Sequence, residues 1–250
     1  MARFSDGTAA FYDFFRADNA DASEELALLR GFAAPPARVL EIGAGVGRMA
    51  IGLAEAGYRV TALEPDPQMH AALMARLALR PAAHEALTPL PRGFGFALDE
   101  RFEVCTAFAL LHLLPPAQWP ALFGYAAAQL APGGWFLVEA FTDIGARAES
   151  PLREFAERTF GDVSVRWSGA RECVDGGRWR NTWVYETRHR GVLLDTRQTV
   201  FEWGCCGPDD IGALGAAAGL TLEGVWSGFD RAPYDHGRSP MLLAALKKAP

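Results

Sequence analysis

The chain has 250 residues, half of them apolar, which is enough for one sizeable core and reads as a single α/β unit with an insertion rather than two independent domains. A net charge of −6 gives no basic face of the kind a nucleic-acid backbone demands. Four cysteines without C-x-x-C spacing suit reduced thiols in a cytoplasmic protein, and without an apolar run near about 18 residues neither a membrane span nor an export signal is expected.

Residues 1–36 carry two expected helices. Phe11, Tyr12, Phe14 and Phe15 crowd aromatic rings onto the first, a face that suits either packing on the core or covering a ligand. Asp21-Ala22-Ser23-Glu24 has the form of a capping box and starts the second. The organising stretch follows, from Val39 to Met69, as a strand, a turn, a helix and a second strand. Its turn places glycines at 43, 45 and 47, where the backbone can take positive φ and a ligand can approach without meeting a Cβ. The second strand, Arg59 to Leu63, runs into Glu64, a carboxylate placed to accept both hydroxyls of a ribose. A dinucleotide site would read G-x-G-x-x-G, and the residue standing where its third glycine belongs is Arg48.

With Glu41 two residues ahead of Gly43, the stretch resembles the first motif, E/D-x-G-x-G-x-G, of the class I S-adenosylmethionine-dependent methyltransferases, whose second strand also ends in an acid. The resemblance implies S-adenosylmethionine as cofactor, a Rossmann-like seven-stranded α/β sheet with an antiparallel last strand, and an N-terminal helical lid. It assigns backbone contacts with the methionine and ribose portion to Gly43, Ala44 and Gly45. Glu41 braces the loop, Glu64 and Pro65 border the ribose, and Met69 lies beside the adenine or packs in the core. Family members for small molecules often open with an aromatic-rich segment containing a Tyr-Asp pair, here Tyr12-Asp13, which makes Tyr12 a candidate near the transferred methyl.

The turn Pro65-Asp66-Pro67 leads into a helix expected to run to about Leu79. Loose matching of the third strand sets the adenine contact at Ala86 or Leu87, through backbone. Phe102 to Ala107 reads as a fourth strand buried on both faces, and the family's pattern sets Ala107 and Phe108 at the methionine end. His112 stands in an apolar run, where it serves either as a packed core side chain or as a general base near the methyl. After Pro115-Pro116 a helix is expected from Ala117 to Leu130, then the Leu130-Ala131-Pro132-Gly133-Gly134 turn that resembles a family feature, then a strand from Trp135 to Phe141.

Residues 151–203 depart from that frame. Trp179, Asn181, Trp183 and Tyr185 alternate with Arg178, Arg180, Thr182 and Val184, which is strand periodicity, and turns on either side suggest an antiparallel meander of about three strands. By resemblance such an insertion covers the substrate; the other use of its aromatic face is a dimer interface. Trp179, Trp183 and Tyr185 would desolvate the acceptor and hold a cationic amine, while Arg180 or Arg197, with Arg171 as a further option, would clamp a carboxylate. The nine arginines here are offset by eight acids, so most are solvated strand faces. The tail reads as a helix from Gly207 to about Ala218 and two strands, Leu220 to Trp226 and Ser239 to Leu246, whose loop offers Tyr234 and His236.

The resulting division is a lid at 1–36, a cofactor-binding core at 37–150, a β-rich insertion at 151–203 and the rest of the core at 204–250. The function expected is methyl transfer to N or O of a small molecule by in-line displacement, with no metal, in a monomer or homodimer free of nucleic acid and membrane. Two alternatives stand beside it: an NAD(P)-binding oxidoreductase and a non-catalytic S-adenosylmethionine-binding protein.

Overall fold

The computed structural model describes residues 11, 14, 15, 22–143, 149–175 and 178–250. In chain order the elements are α1 Ser23–Arg30, β1 Arg38–Ile42, α2 Arg48–Glu55, β2 Arg59–Leu63, α3 Pro67–Ala78, β3 Leu87–Leu90 and β4 Phe102–Ala107. They continue with α4 Trp119–Gln129, β5 Leu130–Phe141, β6 Ser150–Phe160, β7 Val163–Asp175, β8 Arg178–His189 and β9 Val192–Gly204. Helix α5 Pro208–Ala217 and strands β10 Leu220–Trp226 and β11 Met241–Lys248 close the chain.

Seven strands form one sheet in the order β10-β11-β5-β4-β1-β2-β3. β1 to β5 run parallel, whereas β11 pairs antiparallel with both β5 and β10, so the last strand is threaded between its neighbours as expected. Parallel strands need both faces covered, and successive side chains serve opposite layers. On β1, Leu40 and Ile42 join a layer with Leu122, Phe123 and Ile211, while Val39 joins the opposite layer with Leu29, Leu53 and Leu73. The glycine turn sits where β1 passes into α2, and at Gly47, with φ +79°, a Cβ would lie 2.6 Å from Leu73 Cγ. Only glycine lets α2 lie this close to α3.

Several boundaries differ from expectation for local reasons. Helix α1 starts at Ser23 with Ala22 at its cap and no side-chain cap bond from that residue, while Asp21, the head of the expected capping box, lies outside the described residues. By contrast Asp66 caps α3 in full, accepting the N–H groups of Gln68 at 2.9 Å and Met69 at 3.1 Å. β5 begins at Leu130, because the Pro-Gly-Gly turn is absorbed as a register shift against β4, from Phe102↔Leu130 to Val104↔Trp135.

The insertion is a separate antiparallel sheet of four strands, β6-β7-β8-β9, not three. The additional strand, β6, is an edge strand whose Leu152, Phe155 and Phe160 are all exposed, so no inward-outward alternation marks it in the sequence. The outer face of the sheet is a ladder of ion pairs, with Arg166 on Glu154 and Glu157, and Arg180 on Glu172 and Glu202. The inner face is aromatic. Phe11 stacks on Tyr185 at 5.1 Å and Phe15 meets Trp167 at 5.7 Å, so the described part of the N-terminal segment docks on the insertion.

Candidate functional site

The carboxyl ends of β1, β2, β4 and β5 open onto a cavity of about 890 Å³, over which the inner face of the insertion forms a roof. Its floor is the glycine loop. Gly43, Gly45 and Gly47 all have positive φ, and a Cβ on Gly45 would meet nothing within 4 Å, so the loop turns a bare backbone surface toward the space above it. The loop is tied to β2 by backbone bonds from Gly43 and Ala44 to the Leu63 carbonyl, and by the Gly45 N–H, which donates to Glu64 Oε2 at 2.8 Å. Glu64 Oε1 accepts the Asp66 N–H at 2.8 Å. These two donors hold the carboxylate at the strand tip, and burial raises its pKa against them.

Glu41 is buried under the loop, where desolvation pushes its carboxyl up to about 8 although Arg48 opposes the shift. Arg48, the first residue of α2, is held by both carboxylate oxygens of the buried Glu25 on α1, which pins the N-terminal helix to the loop. Across the cavity, Glu139 of β5 accepts the Ala109 N–H at 2.7 Å, steadying a residue whose φ of +50° a side chain rarely adopts.

Toward the roof the lining turns aromatic. His112 stands edge-on to Phe141 at 4.3 Å and to Trp203 at 5.3 Å, and Phe141 and Trp203 are stacked at 4.8 Å with 7° between their planes. Trp183 and Phe201 continue the wall, 4.7 Å apart. Burial among these rings lowers the His112 imidazole to about 3, and its Nδ1 has no hydrogen-bond partner.

The sequence-derived candidates divide accordingly. Glu41, Gly43, Ala44, Gly45, Glu64 and Pro65 line the cavity. So do Met69, Phe108, His112 and Trp183. Ala107 is buried at the end of β4 behind Phe108 and does not line it. Ala86 and Leu87 are corrected: Leu87 pairs with Val60 at the amino end of β2, so both lie at the far edge of the sheet, and the residues beyond β3 that reach the cavity are Gly93 and Phe94. Arg180 and Arg197 are corrected as well, Arg180 because it belongs to the outer ion-pair ladder and Arg197 because it is exposed and paired with Asp195 at 2.7 Å. Trp179 does not line the cavity, and Tyr185 is buried under Phe11 rather than open to it. Tyr12 lies outside the described residues.

Missed by sequence reasoning were Glu139, Phe141, Phe201 and Trp203. Thr199, Phe201 and Trp203 alternate along β9, the same period-two signal that marked β8, and Glu139 is a lone acid in an otherwise apolar strand. Among the described residues no group of three or more His, Cys, Asp or Glu is gathered to hold a metal, and no helix is long and apolar enough to cross a membrane.

A family profile described as a methyltransferase domain matches residues 14–184. No curated protein sequence matches the chain. Among solved structures, the CcbJ methyltransferase from Streptomyces caelestis superposes with a TM-score of 0.80 at 22% identity, covering 100% of this chain and 99% of that one. DesVI from Streptomyces venezuelae gives 0.73 at 18% identity, covering 96% and 99%. CalS10, an amino pentose methyltransferase from Micromonospora echinaspora, gives 0.70 at 20% identity, covering 96% and 97%. Identities this low carry the fold alone.

Proposed function

The chain belongs to the methyltransferase-domain family, and from that premise we propose that it moves a methyl group from S-adenosylmethionine to a nitrogen atom of a small molecule by in-line displacement. The cofactor reading is supported by the floor of the cavity: a glycine loop with open space above Gly45, and beside it a Glu64 carboxylate held in place by two backbone donors. CalS10 was solved with S-adenosylmethionine bound, and so was the glycopeptide N-methyltransferase MtfA. Gly43, Ala44 and Gly45 are the residues that would receive the amino-acid and ribose portion, Glu64 and Pro65 the sugar, and Met69 with Phe94 the base. When bound, the cofactor supplies a methyl carried on a sulfonium, already activated toward a nucleophile.

The chain's own task is then to exclude water and to hold the acceptor in line, work that is worth about 7–11 kcal/mol in favourable cases. The aromatic roof serves both ends, since Trp183, Phe201, Trp203 and Phe141 leave little room for water and present π faces to a cation. The observation that favours nitrogen is the environment of His112. Its imidazole is buried between Phe141 and Trp203 and lowered to about 3, so it stays neutral and is too weak a base to take a hydroxyl proton. An amine that arrives as the ammonium gives its proton to water before it attacks, and the free amine then needs no such base, because it attacks with its lone pair and the methylated product releases a proton afterwards. His112 then orients an N–H rather than removing a proton. A dinucleotide-dependent oxidoreductase is disfavoured by the family match and by β11, which runs antiparallel where a further parallel strand would be needed.

Incubation with S-adenosylmethionine labelled in the methyl group, against matched panels of primary amines and alcohols or phenols, tests the reading. Label is expected in amines. Label confined to hydroxyls overturns the nitrogen assignment, and binding of S-adenosylhomocysteine with transfer to neither panel favours a non-catalytic binding protein.

A further inference from the structure

Residues 108–114, the stretch that leaves the tip of β4, touch both the floor and the wall of the cavity. Leu110 covers the glycine loop, for a Cβ on Gly43 would lie 3.1 Å from both its Cδ1 and its Cδ2. Two residues on, His112 meets Phe141 and Trp203 from within the 3₁₀ turn Leu111–Leu113. The far end of the stretch is fastened by Trp119, whose indole N–H is shared between the Leu111 and Leu114 carbonyls at 3.0 and 3.1 Å. The near end turns on Ala109, whose φ of +50° is left-handed backbone that an alanine adopts only at a cost in energy. What holds it there is Glu139. That side chain is 7% exposed, borders the cavity from β5 and takes the Ala109 N–H at 2.7 Å, the short end of the range for an amide donor.

We propose that Glu139 is a positioning residue for methyl transfer: by holding Ala109 in the left-handed region it sets where Leu110 lies on the floor and where His112 stands in the wall, and so sets the gap in which the sulfonium and the amine are brought into line. The inference rests on the methyl-transfer reading above. Glu139 acts through Ala109, and no bond is made or broken at its own carboxyl. Without that hydrogen bond Ala109 relaxes toward ordinary backbone. Because Trp119 fastens the far end, the change falls on the residues between, Leu110 and His112. A displacement of about 1 Å at a reacting pair costs about 100-fold in rate while both ligands still bind.

Glycine at 109 separates this role from any other the carboxyl could have, since glycine takes a φ of +50° without being held. In a glycine background the Glu139 bond becomes nearly dispensable. A carboxyl that acted on the acceptor directly, or that merely filled space, would be needed as much with glycine there as with alanine. Glu139→Gln keeps an oxygen to accept the Ala109 N–H, whereas Glu139→Leu removes it.

Single-turnover transfer from S-adenosylmethionine to the best-labelled primary amine of the panel is measured for the wild type, both Glu139 variants, Ala109→Gly and Glu139→Leu combined with Ala109→Gly, with S-adenosylhomocysteine affinity taken by calorimetry. Glu139→Leu is expected to slow transfer about 100-fold, with the amine KM and the S-adenosylhomocysteine affinity within about fivefold of wild type. Glu139→Gln is expected to lose less than about tenfold, and so is Glu139→Leu when referenced to Ala109→Gly. The imidazole NMR signals of His112, assigned with His112→Gln, report on the segment without acceptor or turnover: Glu139→Leu displaces them, and the double variant returns them toward their places in Ala109→Gly. Four results each overturn the proposal and leave the cofactor reading standing: an equal loss in both backgrounds, a loss for Gln as large as for Leu, a fall in cofactor affinity matching the fall in rate, or His112 signals that do not move. A Glu139→Leu chain that folds in neither background assigns the carboxyl to the fold and overturns it too. Wild-type protein that transfers to no acceptor overturns both this proposal and the function on which it rests.

Discussion

The two sheets of this molecule present opposite kinds of surface to the cavity between them. The parallel core presents backbone and buried carboxylates: the glycine loop, the Glu64 carboxylate held by the Gly45 and Asp66 N–H groups, and Glu139 on the Ala109 N–H. The antiparallel insertion presents ring faces on its inner side and ion pairs on its outer side. A core of that kind fixes one rigid, polar ligand, because its donors are set by strand ends that cannot shift without breaking the sheet. A wall of Trp and Phe sets only shape, exclusion of water and preference for a cation, so acceptor choice can be altered there without disturbing the floor.

The sharpest way to break that division is on the floor. Gly45→Val places a branched side chain in the open space above the loop at φ +56°, and it is expected to weaken S-adenosylhomocysteine binding by about 100-fold or more, measured by calorimetry. Retained affinity would mean that the cofactor lies elsewhere. On the roof, Trp203→Ala removes the partner of Phe141 and His112; kcat/KM for an amine acceptor is expected to drop about 10–100-fold while S-adenosylhomocysteine affinity stays within about threefold. Equal losses in both measurements would merge the two regions into one site.

His112 offers a smaller, sharper test at the seam. Because its imidazole is held near 3, His112→Gln is expected to lower kcat/KM by less than about tenfold and to leave the pH profile between 6 and 8 unchanged. The same burial has a stability signature. Below the ordinary histidine pKa the unfolded chain takes up a proton that the folded chain refuses, so stability is lost as pH falls from about 6.5 toward 3, and His112→Phe should flatten that part of the denaturation curve. Arg180→Ala, on the outer ladder, is expected to leave kcat/KM within about twofold, since exposed ion pairs contribute little and this one faces away from the cavity.

How legible these regions were in the sequence follows the same division. The floor was readable because its chemistry needs particular residues at fixed spacing: glycines where φ is positive, an acid at each strand tip. The third strand was misplaced because β3 is only Leu87–Leu90 with Pro89 inside it, too short for a period, and the match slid to its amino end. On the insertion, alternation located β8 but could not say which part of the strand lies over the cavity, so Trp183 was found together with Trp179, which does not line it, and Tyr185, which lies under Phe11. Arg180 and Arg197 were drawn in by charge alone, and only cross-strand register reveals Glu172 and Glu202 flanking the first. Strand β6 stayed hidden because an edge strand exposed on both faces carries no hydrophobic pattern.

The most direct test of the whole account is a crystal structure with S-adenosylhomocysteine bound. The account predicts the ribose hydroxyls on Glu64, the amino-acid end over Gly43 to Gly45 within reach of Glu41, and the sulfur directed at the space bounded by His112, Phe141 and Trp203. An adenosyl group bound away from Glu64, or a sulfur turned from the aromatic wall, would contradict it.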